Sequence, residues 1–312
     1  MSEQARGDDR EFDFPRYVDR RKHGIYGGED DARYAYSADL AMLRTFKRIR
    51  PVELAAEATV RMYKDVLKNS LLGTTTKVGP NQFKSIYRIA EQCAATLGVP
   101  IPTVYIANSP VINAFTYGTD EEAFIVIHSA LIDHFSESEL RFVIGHETGH
   151  IQNKHVVYGT VLALMKTTAA VFLKWIVPPA EIALQAWFRR AEITCDRAGL
   201  LCNKDLDSAV RSFLKLASGS HKLYDEINVD AYLEQLEEGK DGVGRFMEAF
   251  ASHPYLPKRI QALRVFSSSA LYRKAVSLGE SGLPMDEVDR QTSEIIQIVK
   301  GSSKPESEKG AE

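Results

Sequence analysis

Residues 136–150 read SESELRFVIGHETGH, and this stretch indicates both a helix and a chemistry. Ser136 and Glu139 match a capping box, in which the serine side chain and the glutamate side chain each bind the other residue's backbone N–H. Apolar residues follow at helical spacing, so the sequence predicts a helix that begins near Ser136. His146 and His150 are four residues apart and therefore project from one face of that helix.

Residues 146–150 match the pattern HExxH, in which two imidazoles on one helix face hold a single zinc ion. We predict that His146 and His150 are zinc ligands. Glu147 follows one ligand without completing the coordination shell, so we predict that it is the general base that takes a proton from water. The alternative is a pair of solvated surface histidines, which chance rarely spaces in this way in a chain with eight histidines.

A catalytic zinc site needs a third protein ligand and an open position for water. Glu192 and Asp196 lie four residues apart in a segment with helical periodicity, which places both carboxylates on one helix face. Glu192 can reach a metal while Asp196 orients a ligand histidine through a hydrogen bond. Taken alone, the pair also suits an ordinary solvated helix face with Arg189 and Arg197 as partners.

The remaining sequence predicts an α+β fold that is mainly α-helical. Helical patterns at about 52–72 and 81–97 precede three short β-type runs, TVYIA, INAFTYG and AFIVI. We expect these runs to form a small antiparallel sheet beside the HExxH helix. From about residue 156 to 300 the pattern is that of helices interrupted by Pro, Gly and Asn.

The domain organisation follows from the polar ends of the chain. Residues 1–32 and 301–312 are charged and poor in apolar residues, so we expect two disordered tails. We find no internal repeat or long linker between them. The sequence therefore predicts a single catalytic body over residues 33–300.

Composition limits the partners and the compartment. The 39 Lys and Arg residues against 42 Asp and Glu residues give a net charge of −3, which argues against nucleic acid as a partner. Cys93, Cys195 and Cys202 form no CxxC pair, which argues against a disulfide framework and a cysteine-based zinc site. The charged N-terminus lacks the apolar run of a secretory signal. We expect a cytoplasmic protein, of undetermined oligomeric state.

Residues 156–177 form an apolar run of 22 residues, long enough in principle to cross a bilayer of about 30 Å. Lys166 and Lys174 interrupt it, and a lysine in mid-span costs about 3 kcal/mol on insertion scales. We therefore favour a packed or self-associating helix. An interfacial membrane helix and a true span remain the alternatives.

Three segments in this order resemble the M48 zinc metallopeptidases, a family that includes the bacterial heat-shock protease and the prenyl-protein CaaX endopeptidase. They are the HExxH helix at 139–155, the ExxxDxxG segment at 192–199 and the HPxxxxRIxxL segment at 253–263. The resemblance covers about residues 81–263 and implies a zincin-like fold. It also implies a gluzincin-type site whose ligands are the two HExxH histidines and Glu192. Cys195 stands where many relatives have alanine, which leaves ligation intact.

The resemblance further implies that Asn113, Ala114 and Phe115 lie on the strand edge that borders the substrate cleft. An extended peptide can add to such an edge through main-chain hydrogen bonds, which would give broad specificity. Without the resemblance, Ala114 and Phe115 suit core packing equally well. The resemblance also implies that His253 stabilises the negatively charged oxygen that forms on the substrate carbonyl during attack, and that Arg259 supports the metal ligands. From the residues alone, both are ordinary surface side chains.

We therefore predict a zinc-dependent endopeptidase that acts on peptides or unfolded proteins. The alternative is a metal-containing chaperone or scaffold that holds peptides without cutting them. Glu147 argues against that alternative, because a binder that does not cut has no need of a base beside its zinc. His155 is predicted to lie near the opposite face of the helix from His146 and outside the zinc ligands.

Overall fold

The computed structural model describes seven stretches of the chain and a few single residues. These are residues 32–48, 72–120, 122–165, 178–219, 221–224, 226–238 and 255–297, with residues 56, 58, 60, 61 and 69. The predicted tails lie outside the described residues, except for Ala32. Most of the helix predicted at 52–72 also lies outside them.

Helices dominate the described residues, which confirms the prediction of a mainly α-helical α+β fold. The helices are α1 (Ser37–Arg48), α2 (Lys84–Leu97), α3 (Ser129–His134), α4 (Glu137–Gln152), α5 (Val156–Met165), α6 (Pro178–Asn203), α7 (Leu206–Ser218), α8 (His221–Tyr224), α9 (Val229–Glu238), α10 (Leu256–Ser267), α11 (Ala270–Ala275) and α12 (Met285–Ile296). The strands are β1 (Thr75–Lys77), β2 (Thr103–Ala107), β3 (Ala114–Gly118) and β4 (Ala123–His128).

The four strands form one sheet of mixed direction, in the order β1, β2, β4, β3. β1 pairs antiparallel with β2, and β3 pairs antiparallel with β4, whereas β2 and β4 run parallel. The prediction of a small sheet is confirmed, but its description as antiparallel is wrong for the central pair. The physical reason is that the β3–β4 hairpin places β4, not β3, against β2. Because the chain reverses direction between β2 and β3 and again between β3 and β4, β4 runs in the same direction as β2.

Helix α4 begins at the predicted capping box. Ser136 Oγ accepts a hydrogen bond from Glu139 N at 3.3 Å, and Ser136 N donates to the Glu139 carboxylate at 2.6 Å. The buried Glu139 carboxylate also accepts from Lys215 Nζ on α7 at 2.8 Å. The start of the helix that carries HExxH is thus held at the backbone and against a neighbouring helix.

Helices α4 and α6 pack closely because glycines line their contact. A Cβ atom added to Gly149 would lie 2.7 Å from Ala198 Cβ, and one added to Gly199 would lie 2.6 Å from Phe142 O. A larger side chain at either glycine would force the helices apart. This close packing brings the acidic face of α6 within side-chain reach of the histidines on α4.

The main hydrophobic core lies between one face of the sheet and helices α2, α4, α7 and α10. Its fully buried members include Ile89, Ile125, Ile144, Phe213 and Ile260. Burial of each such side chain contributes about 1.5–3 kcal/mol, so this core holds α4 firmly under the sheet.

The apolar run at 156–177 is described only over its first ten residues, which form α5. Val157, Tyr158 and Leu162 of this helix are buried against Leu184 and Trp187 of α6. Across the part of the chain that the structure describes, no helix combines the length and the apolar character needed to cross a membrane. Residues 166–177 lie outside that part, so the predicted behaviour of the whole run stays a prediction.

Candidate metal centre

The two HExxH histidines and Glu192 bring three potential ligand groups together. His146 Nε2 lies 3.6 Å from Glu192 Oε2, and His150 Nε2 lies 3.4 Å from Glu192 Oε1. Tetrahedral zinc with bonds of about 2.0–2.1 Å separates neighbouring ligand atoms by about 3.3–3.4 Å. Two imidazoles and one carboxylate also form a donor set that catalytic zinc sites use. The donor types and these two separations therefore fit a zinc ion.

Asp196 and Arg259 lie directly behind these ligands. Asp196 Oδ1 is 3.0 Å from His146 Nδ1, so the Nδ1–H can donate to the carboxylate and leave Nε2 free to bind a metal. Arg259 on α10 donates to both Asp196 oxygens at 2.8 and 2.6 Å, and its Nη1 is 3.0 Å from Glu192 Oε2. The buried guanidinium thereby balances two buried carboxylates and orients both. The structure brings both residues to the predicted place, and their effect on metal binding stays a prediction.

These contacts shift the pKa values of the two histidines in opposite directions. Burial lowers the pKa of His146, but its hydrogen bond with Asp196 and the charge of Glu192 together outweigh burial, and the pKa is raised. At His150 burial prevails, and the pKa is lowered despite the contact with Glu192. The fold thus favours neutral His150, which is the form that binds metal.

Glu147 lies on α4 between the two histidines, and its carboxylate is held by a residue of the sheet. Thr116 on β3 donates its hydroxyl proton to Glu147 Oε2 at 2.6 Å. The same hydroxyl lies 3.3 Å from the Glu147 carbonyl oxygen. Glu147 also lines both cavities beside the candidate ligands. A carboxylate in this position can exchange a proton with a molecule bound in the cleft.

Two adjoining cavities of about 400 Å³ and 360 Å³ open at this centre. Both are lined by Asn113, Ala114, His146, Glu147 and Glu192. The first cavity continues along α5 and α6, and the second continues along α7 and α10. The candidate metal ligands therefore lie in the middle of an extended cleft.

Strand β3 borders this cleft at the edge of the sheet. Among the described residues it pairs with β4 alone, so its other side carries no strand. Asn113 and Ala114 line both cavities, and Phe115 lines the first. The three residues predicted to contact substrate thus lie along the cleft wall, and their role in binding stays a prediction.

His253 lies outside the described residues, so its predicted role at an oxyanion stays a prediction.

Cys195 lies near the candidate ligands, and one ligand atom of each of His146, His150 and Cys195 falls within 4.8 Å of the others. Burial raises the pKa of the Cys195 thiol well above its ordinary value. Its Sγ lies 3.5 Å from His155 Nδ1, whereas the Glu192 oxygens lie 3.6 and 3.4 Å from the Nε2 atoms of His146 and His150, so Glu192 is better placed as the third ligand.

His155 does not lie on the opposite helix face, and that prediction is wrong. Helix α4 ends at Gln152, and Lys154 adopts the left-handed conformation with φ 58°. Lys154 N donates to Ile151 O and His155 N donates to His150 O, the two bonds of a Schellman motif. This turn brings His155 back against His150, with the two Nδ1 atoms 3.3 Å apart. His155 thus contacts the side of the His150 ring that carries Nδ1, whereas Nε2 lies towards Glu192.

Several residues around the centre were not predicted. Phe188 stacks on the His150 ring with centroids 5.4 Å apart and planes 10° apart. Thr116 holds Glu147, and alternation along β3 would have indicated it, because Ala114 and Thr116 share one strand face. Asp39 reaches His155 from α1, and no local pattern in the sequence indicates this contact.

A helix that carries HExxH, packed against a helix that carries ExxxD and under a small sheet, is the arrangement of the zincin-like metallopeptidases. The protein has this fold. The family model described as Peptidase family M48 matches residues 80–266, and the chain belongs to this family. The match confirms the resemblance drawn from the three motifs, and membership of the family supports a protease function.

Curated relatives agree with this membership. Over 168 residues the chain is 38% identical to the plastoglobule-localized metallopeptidase 48 of Arabidopsis thaliana, a match that covers 53% of this chain and 49% of that protein. It is 27% identical over 197 residues to protease HtpX of Haemophilus influenzae, covering 55% of this chain and 69% of that protein. It is 25% identical over 224 residues to a protease HtpX homolog of Tropheryma whipplei, covering 62% and 76%. The chain thus spans about half the length of the plant relative.

Proposed function

We propose that this protein is a zinc-dependent endopeptidase that hydrolyses peptides or unfolded proteins. The observation that carries the proposal is the meeting of three donors, His146 Nε2, His150 Nε2 and the Glu192 carboxylate, beside Glu147 in a cleft. Zinc held by these residues supplies a Lewis acid that polarises a carbonyl group and makes water more acidic. Family membership and the relatives' names support the same class of activity.

In this mechanism Glu147 transfers the protons. Its carboxylate takes one proton from the attacking water as the C–O bond forms at the peptide carbonyl carbon. It then gives a proton to the leaving amine as the C–N bond breaks, so the residue returns to its starting state. Thr116 orients the carboxylate by its 2.6 Å hydrogen bond. His253 is the residue we propose for stabilising the negative charge on the carbonyl oxygen.

The open edge of β3 supports an extended peptide as the substrate. A peptide that pairs with this edge forms main-chain hydrogen bonds, which depend little on its side chains. The cleft continues beyond the candidate ligands on both sides, so residues before and after the scissile bond both have room. This arrangement suits cleavage within a chain better than removal of a terminal residue. We further propose a cytoplasmic location, since the three cysteines form no CxxC pair and are too few for a disulfide framework.

The test is Glu147→Gln, which keeps the shape of the side chain and removes its ability to accept the proton. The variant should bind zinc and fold as the wild type does, and lose nearly all cleavage of an unfolded protein or a quenched peptide. Glu137→Gln, an exposed change on the same helix, serves as the matched control and should keep full activity.

Two outcomes would contradict the proposal. Cleavage by zinc-loaded Glu147→Gln at the wild-type rate would refute the role of this carboxylate. A zinc-loaded wild type that binds peptides but cuts none would instead favour the peptide-binding scaffold. Binding of an extended peptide to Glu147→Gln, measured in parallel, separates loss of chemistry from loss of the cleft.

A further inference from the structure

A buried polar cluster lies behind His150, and the proposed mechanism does not use it. His155, Asp39 and Thr194 have no exposed surface. His155 Nδ1 lies 3.3 Å from His150 Nδ1, and His155 Nε2 lies 3.0 Å from Asp39 Oδ2. Thr194 donates its hydroxyl proton to the same Asp39 oxygen at 2.7 Å. The contacts form a continuous line from helix α1 to a candidate metal ligand.

Metal binding at His150 Nε2 permits only one arrangement of protons along this line. A neutral imidazole that gives Nε2 to a metal carries its proton on Nδ1. Since His150 Nδ1 is then a donor, His155 Nδ1 is the acceptor, and the Cys195 thiol, whose Sγ lies 3.5 Å from the same nitrogen, can only donate to it. The proton of neutral His155 therefore lies on Nε2, which is the nitrogen next to the Asp39 carboxylate.

Asp39 is suited to hold that proton on Nε2. Its carboxylate is buried in the first turn of α1, where the helix dipole favours a negative charge. Asp39 Oδ1 is buried without a hydrogen-bond partner among the described residues, so the carboxylate retains acceptor capacity. The His155 N–H does not point along the 3.0 Å line to Oδ2, so the contact is a close charge–dipole interaction rather than a linear hydrogen bond.

Aromatic side chains hold both rings of the line in place. Trp187 contacts the His155 ring edge-to-face with centroids 5.4 Å apart, and Phe188 stacks on His150. Both aromatic residues lie on α6, one turn before Glu192. The orientation of the two imidazoles is therefore set by packing before any metal binds.

We propose that His155 is a positioning residue for the metal ligand His150, and that Asp39 holds His155 in the tautomer that this role requires. The proposal rests on the proposed function, since it assumes that His150 binds zinc. It assigns to α1 a part in the metal centre, although no residue of α1 is a ligand.

Two substitutions at residue 155 separate positioning from packing. His155→Asn places an amide oxygen near the position of Nδ1, so it keeps an acceptor for His150 and loses the contact with Asp39. His155→Gln reaches the position of Nε2, so it keeps a group beside Asp39 and loses the acceptor for His150. Loss of a partner that orients a ligand histidine typically weakens metal binding by about 10- to 100-fold, and we expect this loss in His155→Gln. His155→Asn should keep most of the affinity.

The measurements are zinc affinity by competition with a chelating indicator, the visible spectrum of the Co²⁺-substituted protein, and the melting temperature. Glu139→Gln is the control for lost stability, because Glu139 lies on α4 in a buried contact with Lys215 and touches neither ring. It should lower the melting temperature without changing the zinc affinity or the Co²⁺ spectrum. In His155→Gln the zinc affinity and the Co²⁺ spectrum should both change.

Equal zinc affinities for His155→Asn and His155→Gln would overturn the proposal. A loss of zinc affinity that parallels the drop in melting temperature in His155→Asn, His155→Gln and Glu139→Gln would overturn it too. If the His155 variants do not fold, Asp39→Asn replaces them: weaker zinc binding by the folded protein supports the proposal, and wild-type affinity overturns it. A wild type that binds no zinc would refute the proposed function and this inference together. Zinc binding and cleavage by the wild type, with no effect in the variants, would refute this inference alone.

Discussion

The Arg259→Met variant tests how the buried charges of the metal centre are balanced. Arg259 contacts Asp196 at 2.8 and 2.6 Å and Glu192 at 3.0 Å, and the two acidic side chains are each 2% exposed. Removing the guanidinium leaves two buried carboxylates without this partner. Breaking a buried ion pair on one side costs about 3–5 kcal/mol, and methionine preserves most of the side-chain volume. We therefore expect the free energy of unfolding of the metal-free variant to fall by about that amount.

The assay is urea unfolding at neutral pH, once with a chelator and once with saturating zinc. Zinc bound to Glu192 replaces part of the lost positive charge, so the loss of stability should be smaller in the zinc-loaded protein. Arg290→Met is the matched control, because Arg290 makes equally short contacts with Glu287 and Glu294 at 2.6 Å but lies at the surface. It should change stability little. If metal-free Arg259→Met unfolds at the same urea concentration as the wild type, the guanidinium does not balance these carboxylates.

Two further predictions concern the ligands and the helix contact. Glu192→Ala should lose zinc while Cys195→Ala retains it, measured as metal per chain after dialysis, and the reverse result would make the thiol the third ligand. Gly149→Val should weaken zinc binding and lower the melting temperature by forcing α4 from α6, because even a Cβ atom would lie 2.7 Å from Ala198 Cβ. The exposed change Gly73→Val, where a Cβ meets nothing within 4 Å, should do neither.

Local rules predicted helix α4 and its capping box correctly. The capping box, the apolar spacing and the HExxH pattern all lie within 15 residues, so their geometry follows from the helix alone. The spacing of Glu192 and Asp196 likewise placed both on one helix face. The expectation that these two residues lie beside His146 came from the resemblance to a family, because sequence spacing does not show which helices pack together.

The features that were missed depend on contacts between distant parts of the chain. Periodicity identifies a strand but not its neighbour, so the insertion of β4 between β2 and β3 was not visible. His155 was misplaced because an ideal helix was extended past Gln152, although the chain turns at Lys154. Asp39 lies 116 residues before His155, and only tertiary packing brings them together.

The division of the candidate ligands between α4 and α6 has a consequence for folding. His150 and Glu192 are 42 residues apart in sequence, so an ion bound to both would act as a reversible cross-link that closes this loop. For a loop of that length, a covalent link removes about 4 kcal/mol of chain entropy from the unfolded state in the simplest model. A zinc ion would contribute in a similar way only while it is bound. Zinc supply would then govern how long the folded chain survives other proteases, in addition to whether it can cut.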